Sequence, residues 1–545
     1  VGPASAGANP GPACYRRGGP LTVTDCNVML GRIDARFFPN LFGPRQVEPL
    51  DTDIVERKFT ELASNITEAI GDQRTPEQVA EGFLTIAVEN MANAIKKISL
   101  QRGYDVSEYA LCCFGGAGGQ HACRIADSLG IRTVFIHPHA GVLSAYGMGL
   151  ADIVAMREQS VELTLEDGTA AELAKTIDGL EASALSELRE QIGPDTTVSI
   201  NHRVLIRYEG TDSPLTVEFG PRVVMEDAFN AQHRQRYGFV TPDKSLVVEA
   251  VIVEALGGAA DISDPEMGDE SLGRSSDNVP HVAAAQVFVD GGHRSVPVVD
   301  RSQMVPGDTV AGPSIIIESH GTNVVEPGWQ ARLNARGHLI LDRVMEAEET
   351  ADIHTSVDPV MLEIFNNMFM SIAEQMGAAL TNTAYSVNIK ERRDFSCAIF
   401  DPDGQLVANA PHQPVHLGSM GESIAAVIRS RHDTMKPGDV YMLNAPYNGG
   451  THLPDVTVVR PVFDAVGDEV IFYVGARAHH ADIGGLTPGS VPPNSRVVEE
   501  EGVLIDDFLV VEDGILRERE TRQLFASGEY PSRNVDQNMA DLTAQ

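Results

Sequence analysis

The chain has 545 residues, 43% hydrophobic and 22% charged, with 77 acidic against 41 basic side chains and a formal charge of −36. That length is too great for one core and predicts about three or four domains, and that charge excludes nucleic acid and anionic membrane surfaces as partners. Six cysteines without a C-x-x-C pair exclude a disulfide scaffold and predict a cytoplasmic protein, and no apolar run of 18 residues predicts a membrane span.

The chain opens Val1-Gly2-Pro3 and ends at Gln545 without a terminating feature, which reads as a fragment at both ends. Residues 1–20 are a Gly-, Pro- and Ala-rich loop. T-V-T-D at 22–25 reads as a short strand ending in Asp25. A helix is predicted over 51–70, closed by Gly71, and a second over 76–100. Thr75-Pro76-Glu77-Gln78 offers the second a capping box with proline at its first position. Val79, Phe83, Ile86, Met91, Ile95 and Ile98 form its buried stripe, and Lys96 and Lys97 its last turn. Residues 109–114 read as a buried strand, Gly115-Gly116-Ala117-Gly118-Gly119 as a tight turn, and 120–129 as a helix. Strand, glycine turn and helix make a physical recipe for phosphate binding, because glycines clear space and a helix N-terminus offers free N–H groups. The run fits neither G-x-G-x-x-G nor the Walker pattern, so packing and ligand binding stay open as its purpose. A strand over 130–136, a turn over 137–139 and a close-packed helix over 141–150 follow.

From 160 to 345 the signals are short β runs, at 204–208, 215–219, 246–255, 286–289 and 314–318, with helices near 168–192 and 229–237. The polar stretch 262–279 reads as a mobile loop and 344–357 as a linker. Asp358-Pro359 caps a helix to about 380, whose apolar face is Val360, Ile364, Phe365, Met368, Phe369, Ile372 and Met376. N-I-K-E-R-R-D-F-S at 388–396 precedes a strand at 397–400 and a turn at 401–404. Loop 408–421 holds His412 and His416.

The chemistry concentrates between Asn444 and Gly485. His452 and Asp455 stand three residues apart, and His479, His480 and Asp482 follow some 25 residues on. Imidazole nitrogens with carboxylate oxygens suit a divalent ion such as Zn²⁺, Mn²⁺ or Fe²⁺. The β-branched runs 456–459 and 470–474, with a polar turn at 464–468, predict a hairpin that brings its two ends together. His452 and Asp455 would then meet His479 or His480. Gly449-Gly450 and Gly484-Gly485 let the backbone bend and a ligand approach.

G-P-A-S-A-G-A-N-P-G-P-A-C-Y, T-V-T-D, F-G-G-A-G-G-Q-H-A, H-R-Q-R-Y-G-F and V-E-P-G-W resemble the carboxyl-terminal portion of hydantoinase A-type proteins. N-I-K-E-R-R-D-F-S, H-Q-P-V-H-L-G-S-M, G-G-T-H-L-P-D and H-H-A-D-I-G-G resemble the amino-terminal portion of hydantoinase B-type proteins. The chain as a whole is similar to the hydantoinase/oxoprolinase family, with the A part fused ahead of the B part. The resemblance implies an α/β protein in four stretches. Residues 1–157 would be part of an actin-like (ribonuclease H-like) ATPase lobe, 158–343 a β-rich middle domain, 344–357 a linker, and 358–545 part of an α/β metal domain.

The resemblance further implies ATP with Mg²⁺ near Gly115, Gly116, Ala117, Gly118 and Gly119, with Asp25 close to the ion or the phosphates. It implies a divalent metal held by Glu391, His452, Asp455 and one of His479 or His480. His416, or whichever of His479 and His480 is not a ligand, would carry protons, since imidazole titrates near working pH. The implied reaction is ATP-dependent hydrolysis of a cyclic amide, 5-oxoproline to glutamate first, through phosphorylation of the carbonyl and metal-assisted ring opening. The alternatives are a hydantoinase or an acetone-type carboxylase. Ala445, where many B-type proteins have Asp, weakens the plain hydantoinase reading. A homo-oligomer is expected of the whole enzyme. The piece alone is expected to be inactive, and a remnant acting only as a binding module is the alternative of another class.

Overall fold

The computed structural model describes residues 4–101, 104–193, 196–211, 213–237, 240, 244–258, 266–270, 273–345, 359–410 and 413–545. The described residues are mixed α/β, with four sheets, in two compact units. One unit takes 1–99, 105–152 and 259–364, and the other 100–104, 153–258 and 365–545. The β-rich stretch therefore contributes strands to both.

The first unit holds a five-stranded and a four-stranded sheet. Leu111–Cys113 and Thr133–Ile136 pair in parallel, which requires a crossover, and the helix Ala122–Leu129 supplies it. Ala126 and Leu129 of that helix bury together with Val134, Ile136 and Trp329. The T-V-T-D segment corrects a sequence expectation: Val23–Met29 is a helix. Its β-branched residues suggest a strand, but the backbone N–H and hydroxyl of Thr22 both donate to the Asp25 carboxylate, at 2.8 and 2.9 Å, and fix a helix start. Thr52–Ile70 and Pro76–Gln101 are helical as expected, and Thr75 and Gln78 exchange the capping-box bonds at 2.9 and 3.2 Å. The second helix runs past Lys96 and Lys97, since no glycine or proline stands between Ile98 and Gln101. The polar stretch 262–279 lies partly outside the described residues, but Arg274 is tied down. The buried Asp308 accepts from its backbone N–H at 2.7 Å and from its guanidinium at 3.0 Å.

In the second unit, Ile153–Thr164, Leu246–Gly257, Val198–Tyr208 and Leu215–Glu218 form an antiparallel sheet. The helices Thr169–Gln191 and Arg222–Tyr237 bury Leu173, Ile177, Met225 and Phe229 with Val204, Ile206, Val251 and Val253. The helix expected at 229–237 starts seven residues earlier, at Arg222.

The other sheet of this unit has seven strands, in the order Leu406–Asn409, Phe395–Phe400, Val470–His479, Asp455–Phe463, Val440–Leu443, Phe508–Glu512, Ile515–Leu516. All six residues of Phe395–Phe400 are buried, which explains its unbroken F-S-C-A-I-F pattern. The expected hairpin is present as Asp455–Phe463 paired with Val470–His479, with one register shift between Val462 and Phe463. Loop 408–421 is corrected: Pro414–Arg431 is a helix with proline in its first turn, and His416 sits there, while His412 lies outside the described residues. The linker beyond 345 and the Asp358 cap also lie outside them. The helix Pro359–Thr383 forms, but none of the seven residues expected on its buried face is fully buried. Phe365 is 46% and Ile372 40% exposed, and Ala373 and Leu380 are buried instead. Periodicity found an apolar face without telling what covers it. No described helix is long and apolar enough to cross a membrane.

The loop ahead of the hairpin hangs on Asn444, which is fully buried. Its amide donates to Leu453 O at 2.8 Å and Val503 O at 3.0 Å and accepts from Ile505 N at 2.7 Å. Asn444→Ala leaves three buried backbone groups without partners, and the unfolding free energy is expected to fall by about 2–4 kcal/mol. Asn448→Ala, which removes an exposed bond to Asp506, is expected to cost about 0.5 kcal/mol. Urea unfolding of the two variants checks the difference.

Candidate metal centre

The hairpin register sets Asp455 opposite His479 at its open end. Cross-strand partners on one face lie close enough to interact directly. Asp455 is buried, and its Oδ1 lies 3.1 Å from His479 Nδ1. His452, in the turn just before the strand, places Nδ1 3.3 Å from Asp455 Oδ2 and Nε2 3.1 Å from His479 Nδ1. One donor atom from each of the three residues falls within 4.8 Å of the others. Ligand atoms about 2.0–2.2 Å from one ion stand roughly 3 Å apart, so the donor set fits a divalent ion. His452 is 51% exposed and opens the cluster to solvent.

Burial alone would raise the Asp455 carboxyl. The hydrogen bond with His479, the charge of His452 and the 2.8 Å bond from the Thr451 hydroxyl outweigh it and hold the group below the usual carboxylate range. His416 reaches the cluster from its helix, with Nε2 3.6 Å from Asp455 and 3.7 Å from Asp394. Burial pushes its imidazole below the ordinary histidine value, Asp455 pulls the other way, and Nδ1 is buried without a partner among the described residues. Beneath the cluster Arg477 is fully buried. Its guanidinium donates to Thr457 at 2.8 Å, to Ser423 at 2.7 Å and to Ser419, joining the hairpin to the helix Pro414–Arg431.

His480 does not join the cluster. Its ring is fully buried, with Nε2 2.9 Å from Gln545 Oε1 and Nδ1 3.0 Å from Asn538 Nδ2. The Asn538 amide nitrogen can only donate, so Nδ1 accepts and Nε2 carries the proton that goes to Gln545. The Gln545 amide donates in turn to Val456 O at 2.9 Å and Ala476 O at 3.2 Å, one on each strand of the hairpin. His480 thereby anchors the helix Val535–Ala544 to the sheet. Glu391 does not join either. It is exposed and lines a cavity of about 580 Å³ with Glu162, Arg207, Tyr385 and Lys390. The carboxylate of the same motif that does approach is Asp394, 4.0 Å from His479. Asp394 was missed in the charged run K-E-R-R-D. It stands immediately before the strand Phe395–Phe400, which the sequence suggests only from residue 397.

In the other unit the five-residue turn occupies the expected place between strand and helix. A side chain at Gly119 would meet Asn323 at 1.9 Å, at Gly118 the Cys113 sulfur at 2.9 Å, and at Gly116 the His320 carbonyl at 2.9 Å. These three glycines permit close packing. Gly115 differs: its φ is +88°, and a Cβ there would meet nothing within 4 Å. Gly115, Gly116 and Ala117 are exposed. The Asp25 carboxylate accepts from Ala13 N, Cys14 N and Thr22 N and from the Thr22 hydroxyl, at 2.8–3.1 Å, and so folds the loop over residues 13–22 onto its own helix. Beside the turn, burial and then the charges of Arg32 and Arg124 push His121 down to about 4.

Three family models match the chain: Hydantoinase/oxoprolinase over residues 1–157, Hydantoinase/oxoprolinase C-terminal domain over 164–343, and Hydantoinase B/oxoprolinase over 358–545. The 5-oxoprolinase of Saccharomyces cerevisiae is 40% identical over 567 residues, covering 100% of this chain and 44% of that protein. The 5-oxoprolinase of Dictyostelium discoideum is 38% identical over 550 residues, covering 100% and 43%. Among solved structures, the ATP-dependent caprolactamase from Pseudomonas jessenii aligns with a TM-score of 0.55 and 26% identity, over 63% of this chain and 50% of that one. The chain spans less than half the length of these curated relatives. With consecutive family models accounting for nearly all of it, the chain belongs to the hydantoinase/oxoprolinase family.

Proposed function

We propose that this chain carries the metal centre, and part of the nucleotide site, of an enzyme that uses ATP to hydrolyse a cyclic amide, opening 5-oxoproline to glutamate. The observation that carries the reading is the convergence of His452, Asp455 and His479. Two relatives that match the whole chain are 5-oxoprolinases, and the caprolactamase couples ATP to a lactam. A lactam carbonyl is a poor electrophile. Transfer of the γ-phosphoryl group of ATP to its oxygen, with Mg²⁺ neutralising charge, gives an activated phosphate ester and ADP. Water then adds at the same carbon, the ring C–N bond breaks as the nitrogen takes a proton, and a second water hydrolyses the acyl phosphate left behind to carboxylate and phosphate.

His452, Asp455 and His479 would hold the divalent ion, Zn²⁺, Mn²⁺ or Fe²⁺, with Asp394 near enough to join. Such an ion, when bound, polarises an oxygen or lowers the pKa of a water toward neutrality. His416, neutral and facing both carboxylates, is the group suited to take a proton from water and return one to the departing nitrogen. His480 keeps the hairpin in place and carries no proton in the reaction. Gly115 would leave its backbone open to the nucleotide. Six unpaired cysteines agree with a reducing compartment such as the cytoplasm.

Metal analysis of purified chain tests the centre. One divalent ion per chain is expected, with affinity at least about 100-fold lower in His452→Ala, while His480→Gln loses only about tenfold, as a supporting group does. Equal metal content in all three proteins would remove the centre from the hairpin end. In the complete enzyme, His452→Ala is expected to abolish glutamate release and to leave ATP affinity intact.

The nucleotide side is tested at Gly115 rather than Gly116, because a side chain at 116 strikes the His320 carbonyl and would disturb folding. Gly115→Ala costs about 1 kcal/mol of backbone strain. In the complete enzyme it is expected to weaken ATP binding about tenfold with metal content unchanged. Normal ATP affinity in that variant would return the turn to a packing role.

A further inference from the structure

Within the second unit, a cavity of about 580 Å³ opens between the antiparallel sheet domain and the helices Glu518–Phe525 and Val535–Ala544. That volume suits a small molecule. None of its lining residues belongs to the metal cluster. One wall is aromatic. The helix Arg222–Tyr237 carries Phe229, His233 and Tyr237 at intervals of four residues, so all three fall on one face, and Tyr208 packs against the first two. Ring centroids lie 5.0 Å apart for Tyr208 and Phe229 and 4.7 Å apart for His233 and Tyr237.

Two polar groups in this wall lack the partners that burial normally demands. The Tyr237 hydroxyl is buried without a hydrogen-bond partner among the described residues. Burial also raises its phenol above the ordinary value, so it stays a donor. Lys244 lies over the Tyr385 ring, 4.5 Å from its centroid, and no carboxylate among the described residues stands within ion-pair distance of it. The other cation of the cavity is satisfied, since Arg522 pairs with Glu518 at 2.8 Å and Asp536 at 2.6 Å. An aromatic wall, a phenolic donor and an ammonium group that Asp541 and Glu209 attract only from beyond ion-pair distance are complementary to a flat ring bearing a negative charge.

We propose that this cavity binds a planar aromatic carboxylate of one or two rings, as a site separate from the metal centre. The ring would lie along His233 and Tyr237, and the carboxylate would take Lys244 and the Tyr237 hydroxyl as donors. The opposite wall is the helix that also supplies Asn538 and Gln545 to His480, so an occupant would press on the element that anchors the hairpin.

Calorimetric titration of the intact chain with 1-naphthoate tests the assignment. Binding of one molecule per chain is expected, with Kd below about 1 mM. Lys244→Met and the uncharged analogue 1-naphthylmethanol should each weaken it about tenfold, and Tyr237→Phe several-fold. Thr543→Trp places a ring in the cavity from an exposed position, which spares the fold, and should abolish binding. Undiminished binding in Thr543→Trp, equal affinity for the neutral analogue, or no binding below about 10 mM would each overturn the proposal.

Discussion

Asp455 and His479 meet across the last rung of an antiparallel ladder, and the metal centre depends on that pairing. Side chains alternate between faces along a strand, so a slip of one residue would turn the cluster inside out. The structure guards the register from several sides. Phe395–Phe400 pairs with the second strand, setting Phe395 against Ala478 and bringing Asp394 beside His479. Arg477 ties both strands to the helix that carries His416. Gln545 bonds a carbonyl on each strand.

The glycines of this region serve the same constraint. A side chain at Gly450 would meet the Asn444 carbonyl at 2.2 Å, and one at Gly449 the Glu422 carbonyl at 2.6 Å. The loop carrying His452 can therefore lie flat against the buried Asn444 and the neighbouring helix. Backbone proximity, more than side-chain packing, gives that histidine a defined direction while it stays half-exposed.

The hairpin was legible because its β-branched runs and polar turn are local signals. The choice between His479 and His480 was not, since it depends on which face each residue takes, and register is a tertiary fact. Asp394 hid in a charged run and became visible only when Phe395 found its partner strand. Glu391 came from resemblance alone, and the structure sets it at the rim of another cavity. The glycine turn was read correctly between strand and helix, but the partner that requires Gly119 to be small is Asn323, some 200 residues away. At Thr22 and Asp25 two side-chain bonds overrode a β-prone sequence.

The single register shift in the hairpin falls between Val462 and Phe463, beside the turn and eight residues from Asp455. A bulge absorbs a mismatch in strand length where it stands and leaves the pairing beyond it unchanged. Insertions or deletions at the 464–469 turn would be taken up there, as a slack joint takes up play in a linkage. Relatives of this chain can thus differ in length at the far tip of the hairpin while the rung that holds Asp455 against His479 keeps its place.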